Sequence, residues 1–283
     1  MSKTLVIGST GKVGSVVVDE LVRKGAPVKA ATRNPQEMEG REGVEPVHFD
    51  YASPATFDAA LEDVSRIFMI GPATADPSEA MMAFLRKAGP QRKVVLMTAM
   101  NVEKQKGSPL ELVEQGLKGS GAPYVILRPN WFMDNFHTFW VEPIVQAGVI
   151  PLPAGDAKSS LIDARDIGAA GAAAVLGDGF NGREFTLTGP DSLTYAEAAA
   201  VLTRVSGREI RYQPVDGEAF VAASVEAGAP EDLSRFLAML FEDVSAGETA
   251  EVTGAVEELT GRPARGLEEY ARDYREVWAV RQA

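Results

Sequence analysis

One short segment restricts the fold of this chain more than any other: Gly8-Ser9-Thr10-Gly11-Lys12-Val13-Gly14. An apolar run at residues 4–7 precedes it, a helical stretch at 11–24 starts within it, and a second apolar run follows at 28–32. Glycines at these positions allow a tight strand-to-helix turn and let backbone approach a pyrophosphate. The helix start then offers unpaired N–H groups and the positive end of its dipole to the anion. The context is that of a dinucleotide-binding loop. The plainer alternative is a tight turn with no ligand. A Walker A loop is excluded, because no Gly-Lys-Ser/Thr follows.

The same alternation continues downstream. Apolar, β-prone runs at 44–49, 66–70, 93–98 and 124–127 are separated by helical stretches at 54–61, 78–87 and 110–118. The runs are nearly continuous in apolar character, as expected of strands covered on both faces. Strand-helix-strand repetition predicts an α/β fold, a doubly wound parallel sheet of six or seven strands in Rossmann style. Gly25-Ala26-Pro27, Gly71-Pro72 and Gly121-Ala122-Pro123 punctuate it. After Pro129 the character changes: Trp131, Phe132, Phe136, Phe139 and Trp140 crowd into ten residues. A helix at 166–176 and a strand at 184–188 are expected to return to the main sheet. Thr194 followed by Glu197 reads as a capping box opening a helix over 194–205. The domains expected are a nucleotide-binding part at 1–152, with 161–188 returning to it, and a smaller C-terminal α/β lobe at 189–283.

Composition removes whole classes of chemistry. Cysteine is absent, which excludes disulfides, thiolate catalysis and cysteine zinc sites. The only histidines are His48 and His137, so a histidine-rich metal centre is excluded and no metal is expected. The formal charge of −12 repels nucleic acid and anionic membrane. The first apolar run is too short for a secretory leader, and no stretch approaches a membrane span. A cytoplasmic protein is expected. Nothing in the sequence sets the oligomeric state.

Cofactor choice is read at the end of the second strand. A carboxylate there would bind a ribose 2′-hydroxyl. This chain has Ala30-Ala31-Thr32-Arg33-Asn34 and no carboxylate before Glu37. Arg33 is placed to pair with a 2′-phosphate through its planar fork, which predicts NADPH (NADP) in preference to NADH. A solvated surface arginine is the alternative.

The glycine loop, Thr32-Arg33-Asn34-Pro35, Asp50-Tyr51, Gly71-Pro72, the run Leu127-Arg128-Pro129-Asn130-Trp131-Phe132-Met133-Asp134-Asn135-Phe136, and Asp163-Ala164-Arg165-Asp166-Ile167 occur in this order. As a set they resemble the NmrA-like branch of the atypical short-chain dehydrogenase/reductases. Tyr212-Gln213-Pro214-Val215 and the acidic tail are similar to the dye- and quinone-reducing members, and the resemblance covers essentially the whole chain. It implies cofactor contacts from Gly8, Thr10, Gly11, Lys12, Val13 and Gly14 in the loop. It implies further contacts from Arg33, from Asp50 and Tyr51 near the adenine, and from Gly71 and Pro72 near the ribose and pyrophosphate. Thr98, Met100, Asn130, Trp131 and Phe132 complete the implied set, the segment 130–135 flanking the nicotinamide. For Asp50 the alternative is a turn residue.

The usual proton donor of short-chain reductases is missing. A Tyr-x-x-x-Lys pair lets lysine lower the tyrosine pKa. None of the tyrosines at 51, 124, 195, 212, 270 and 274 has Lys four residues later; Tyr124 has Arg128. The helix expected to carry the pair reads Leu110-Glu111-Leu112-Val113-Glu114-Gln115. Two readings stand. One is a reductase that passes hydride to a planar, apolar, electron-poor acceptor, such as a quinone, a dye, or an aromatic carbonyl or imine. Such an acceptor needs little acid assistance. The other is a non-catalytic, NAD(P)-binding redox sensor. Trp131, Phe132, Met133, Phe136 and His137 are expected to line the acceptor pocket, with packing as their alternative role. His137 is the only candidate for a catalytic proton donor, and His48 is read as structural. Glu103, Glu111 and Glu114 are read as spread along one helix and not as a site. Asp163 and Asp166 are read as helix-start residues.

Overall fold

The computed structural model describes residues 2–72, 74 and 76–279. In chain order the elements begin β1 (Lys3–Ile7), α1 (Lys12–Arg23), β2 (Val28–Thr32), β3 (Val44–His48), α2 (Phe57–Leu61) and β4 (Val64–Ile70). Next come α3 (Ser78–Ala88), β5 (Lys93–Met97), α4 (Pro109–Gly119), β6 (Tyr124–Pro129), α5 (Val141–Ala147), β7 (Val149–Leu152), β8 (Lys158–Ser159) and α6 (Ala164–Leu176). They end with β9 (Arg183–Leu187), β10 (Leu193–Thr194), α7 (Tyr195–Ser206), β11 (Arg211–Pro214), α8 (Gly217–Glu226) and α9 (Glu231–Ser245), then α10 (Ala255–Thr260), α11 (Leu267–Asp273) and α12 (Arg275–Trp278). The expected helix at 54–61 is a 3-10 turn, Pro54–Thr56, leading into α2.

The chain forms two compact units. The first comprises residues 1–129, 164–187 and 255–262. Its sheet has seven strands in the order β3-β2-β1-β4-β5-β6-β9, and each neighbouring pair is parallel. This is the doubly wound Rossmann-type architecture expected from the alternation. One face of the sheet supplies Leu5, Ile7, Ile67, Met69, Val94, Leu96 and Ile126 to a core shared with Phe57, Phe84 and Leu117 from the helices. The opposite face meets α6, whose Ala- and Gly-rich sequence lets backbones approach closely. A Cβ on Gly171 would lie 2.5 Å from the Phe68 ring, and one on Gly168 would lie 2.5 Å from Val16 Cβ in α1. Burial on both faces is what made the strands read as unbroken apolar runs. Lys29 in β2 is 2% exposed, yet its ammonium reaches the carbonyls of Ala59 and Glu62.

The second unit comprises residues 130–163, 188–254 and 263–283, of which 263–279 are described. By compactness the first unit runs to Pro129 and takes in 255–262, whereas the sequence reading drew its line at 152. The reason is apolar. Phe136, Trp140, Ile144, Ile150 and Leu152 pack with Tyr195, Leu202, Phe241, Tyr270 and Trp278 in the core of the second unit. Two short sheets brace it, β7 with β11 in parallel and β8 with β10 antiparallel. The predicted capping box at α7 forms: Glu197 N donates to Thr194 Oγ1 at 3.0 Å, and Thr194 N donates to Glu197 Oε2 at 2.8 Å. Among the described residues, no helix is long and apolar enough to cross a membrane.

Candidate functional site

The glycine loop is held from beneath. Ser9 is fully buried, and both its N–H and its hydroxyl donate to Ala31 O in β2, at 3.3 and 3.1 Å. Gly8 has φ +74°, a left-handed conformation that favours glycine, and a Cβ there would meet nothing within 4 Å. Gly11 N closes the turn onto Gly8 O at 2.9 Å. Gly14 is required by proximity, since a Cβ would lie 2.1 Å from Gly8 O. Above this turn Thr10, Gly11 and Lys12 are exposed, while Val13 anchors α1 in the core. The helix has no side-chain cap and no acidic residue in its first turn. The start of the helix thus brings no negative charge of its own to its dipole, which fits a pyrophosphate. Ser9 was not singled out from the sequence; a buried hydroxyl inside the loop is the signal that could have marked it.

The other expected contacts of the first unit gather along the carboxyl edge of the sheet. The strand order reverses between β1 and β4, the crevice where open α/β sheets bind ligands. Arg33 follows β2 and is exposed, and among the described residues no ion pair engages it. Glu37, the nearest downstream carboxylate, accepts from Asn34 Nδ2 at 3.0 Å. Asp50 follows β3 and behaves partly as a turn residue, its Oδ1 accepting from Ala52 N at 2.9 Å. Tyr51 is buried with its hydroxyl donating to Ile70 O at 3.0 Å, and burial pushes its pKa well up. Gly71 and Pro72 follow β4 and are half-buried. Thr98 and Met100 follow β5, tied to β6 by Thr98 N to Leu127 O at 2.9 Å and Met100 N to Pro129 O at 3.0 Å.

A buried ionic cluster adjoins that end of the sheet. Arg128 in β6 is 5% exposed and Glu114 in α4 is 1% exposed. Arg128 Nε and Nη2 donate to the two Glu114 oxygens at 3.0 and 2.5 Å, and Thr98 Oγ1 donates to Glu114 Oε1 at 2.7 Å. Arg128 also pairs with Glu184 and Glu103, and Lys118 pairs with Glu184 at 2.6 Å. Burial opposes the Arg128 charge, but these carboxylates outweigh it and raise its pKa further. Glu184 feels the same balance: burial works against its charge, yet Lys118 and Arg128 hold its carboxyl below the usual range. The sequence reading of Glu103, Glu111 and Glu114 as one helix is corrected. Glu103 lies in a 3-10 turn, Glu111 and Glu114 lie on α4, and both of these are buried.

The segment after Pro129 belongs to the second unit. Asn130 is buried and its amide is engaged there. Nδ2 donates to Ser160 O, Ser160 Oγ and Thr249 O at 2.8–3.1 Å, and Oδ1 accepts from Trp131 N at 2.8 Å. Trp131 is half-buried and stacks on Phe241 with 4.5 Å between centroids. Phe132 is half-buried beside a bridge to Ile162. Met133 and Phe136 are 2% and 0% exposed, and Trp278 Nε1 donates to Phe136 O at 2.9 Å. Both side chains lie in the hydrophobic core of the second unit. His137 shares a hydrogen bond with Tyr270 through Nδ1 and stacks on Tyr274 at 4.1 Å. Both contacts hold the ring within the second unit. A cavity of about 660 Å3 does occur in this unit, with Val215, Val221 and Met239 on its wall and Asp216, Arg235 and Glu242 around them.

The Tyr212 hydroxyl donates to Leu152 O at 3.0 Å, while the Tyr195 hydroxyl is buried with no hydrogen-bond partner among the described residues; Tyr124 begins β6, at the end of the sheet opposite the glycine loop.

Known proteins resemble this chain along nearly its full length. It is 33% identical to the (4-alkanoyl-5-oxo-2,5-dihydrofuran-3-yl)methyl phosphate reductase of Streptomyces griseus, over 97% of this chain and 99% of that one. It is 31% identical to the NAD(P)H azoreductase of Xenophilus azovorans, over 95% and 96%. The NADPH-dependent quinone oxidoreductase of Escherichia coli, solved with NADPH, superposes with a TM-score of 0.86 at 25% identity, covering 96% of this chain and 99% of that one. Residues 1–271 match the NmrA-like family, and with these likenesses the chain belongs to that family.

Proposed function

We propose that the protein is an NADPH-dependent oxidoreductase that reduces a planar, electron-poor acceptor such as a quinone, a dye, or an aromatic carbonyl or imine. The observation that carries this reading is the start of α1 above the Gly8–Gly14 turn, with no side-chain cap and no acidic residue in its first turn, together with an exposed Arg33 after β2 and no carboxylate before Glu37. NADPH, when bound, supplies the hydride. The α1 N–H groups would hold its pyrophosphate, Arg33 its 2′-phosphate, and the ends of β4 and β5 would lie towards its reactive half. The named activities of the azoreductase and the quinone oxidoreductase support an acceptor in which new charge is delocalised. Such an acceptor can take its proton from water, so positioning alone can supply much of the rate. The lack of a lysine four residues after any of the six tyrosines supports a mechanism without a Tyr–Lys pair.

The test is NADPH oxidation against a panel of quinones, azo and triarylmethane dyes, imines and aromatic ketones. Turnover of at least one class is expected. Tight NADPH binding with no turnover on any member would favour the cofactor-sensing role. Absence of NADPH binding would end both.

A further inference from the structure

The cluster around Glu114 has a consequence for the cofactor's reactive end. Along the carboxyl edge, β2 carries Arg33, β1 the glycine loop, β4 Gly71-Pro72, and β5 Thr98. The β2 and β5 ends are three strand spacings apart, about 14 Å. A dinucleotide anchored by its 2′-phosphate at Arg33 and its pyrophosphate at α1 therefore runs its nicotinamide half towards Thr98. The Thr98 hydroxyl has one proton, and that proton is spent on Glu114 Oε1 at 2.7 Å. Glu114 accepts two further hydrogen bonds from Arg128, itself held by Glu103 and Glu184, so both its oxygens serve as acceptors.

We propose that Glu114, clamped by Arg128, is a positioning residue that makes the Thr98 oxygen a hydrogen-bond acceptor only, matched to the N–H of the nicotinamide carboxamide. The inference rests on the NADPH-binding function proposed above. The two backbone bonds joining β5 to β6, at Thr98 and Met100, fix the oxygen in the same frame. A neutral side chain at 114 with its own N–H could donate to Thr98 instead. The hydroxyl would then turn its proton outward and present a donor where an acceptor is needed.

The experiment measures affinity and needs no turnover. Calorimetric titration compares NADP+, its 3-acetylpyridine analogue (a methyl group replaces the amide nitrogen), and adenosine 2′,5′-bisphosphate, which lacks the nicotinamide half. T98V should weaken NADP+ by about fivefold, the worth of one neutral hydrogen bond. The analogue and the bisphosphate should be unaffected. T98S should restore NADP+ affinity, and E114Q should reproduce the T98V pattern. Equal weakening of NADP+ and the analogue, or no weakening of either, would overturn the proposal. Should E114Q fail to fold, the Ser and Val variants at 98 still decide. Loss of bisphosphate binding by the unmodified protein would instead overturn the cofactor function itself, and this inference with it.

Discussion

Alanine at position 14 tests the glycine loop most severely. Its Cβ would stand 2.1 Å from Gly8 O, 0.9 Å inside the 3.0 Å below which real Cβ contacts essentially do not occur. Neither side can yield easily. The loop is pinned by Gly11 N on Gly8 O and by Ser9 on Ala31 O. The helix cannot retreat either, because α6 lies against its far side, where Gly168 leaves no room for a Cβ beside Val16 and Val13 O. Overpacking of this kind costs about 1–3 kcal/mol. At about 2–4 °C per kcal/mol, the melting temperature should fall by roughly 2–12 °C. Displacement of the turn should also misalign the α1 N–H groups. Losing one charge-assisted bond weakens NADPH binding by about ten- to a hundredfold. G168A is the control. It overpacks the opposite side of the same helix and should lower the melting temperature comparably, while NADPH affinity stays within about threefold, less than one hydrogen bond. Thermal melts and fluorescence titration of NADPH read both quantities. A G14A protein that binds NADPH as tightly as G168A does would refute the assignment of the loop to the pyrophosphate.

Arg33→Ala should weaken NADPH binding by about ten- to a hundredfold and leave NADH nearly unchanged; Arg33→Asp should invert the preference, and equal affinities of the unmodified protein for both would place Arg33 outside the site. Each Tyr→Phe change, at 51, 124, 195, 212, 270 or 274, should leave the single-turnover hydride step largely intact. One variant losing about a thousandfold there, within the range general acid catalysis supplies, while still binding NADPH would refute the tyrosine-free mechanism. Stability should decline on acidification through Glu184. Its folded pKa lies below the unfolded value, so its contribution is full above about pH 4.3 and is lost as pH falls through the lower folded value. Glu184→Gln should flatten that limb of a urea-midpoint-against-pH profile, and an unchanged limb would show that other carboxylates set it.

The fold was legible because one physical condition shapes most of it. Strands covered on both faces are mostly apolar, so Val28–Thr32 and Lys93–Met97 announced themselves despite Lys29 and Lys93, and the turn chemistry between them fixed the alternation. The boundary at Pro129 was harder to read. Trp131, Phe136 and Trp140 follow a sheet strand, and aromatic side chains carry no mark of which core they will enter. Tyr195, Phe241 and Trp278, remote in sequence, decide it.

The ionic cluster was hidden differently, since Glu114 and Arg128 each look like ordinary surface charges when taken alone. Two signals were nevertheless present. Arg128 sits in the buried strand Tyr124–Pro129 beside Val125, Ile126 and Leu127, and a fully buried charge requires a partner. Glu114 shares a helix face with Leu110, Val113 and Leu117, at the i, i+3, i+4, i+7 spacing that turns towards a core. A carboxylate on the apolar stripe of one helix and a guanidinium inside the next strand each demand the other. Their meeting point, set by the short connection between α4 and β6, lies at the end of β5, where Thr98 joins them. The pairing that keeps two buried charges tolerable is therefore also what fixes a hydroxyl beside the expected cofactor path.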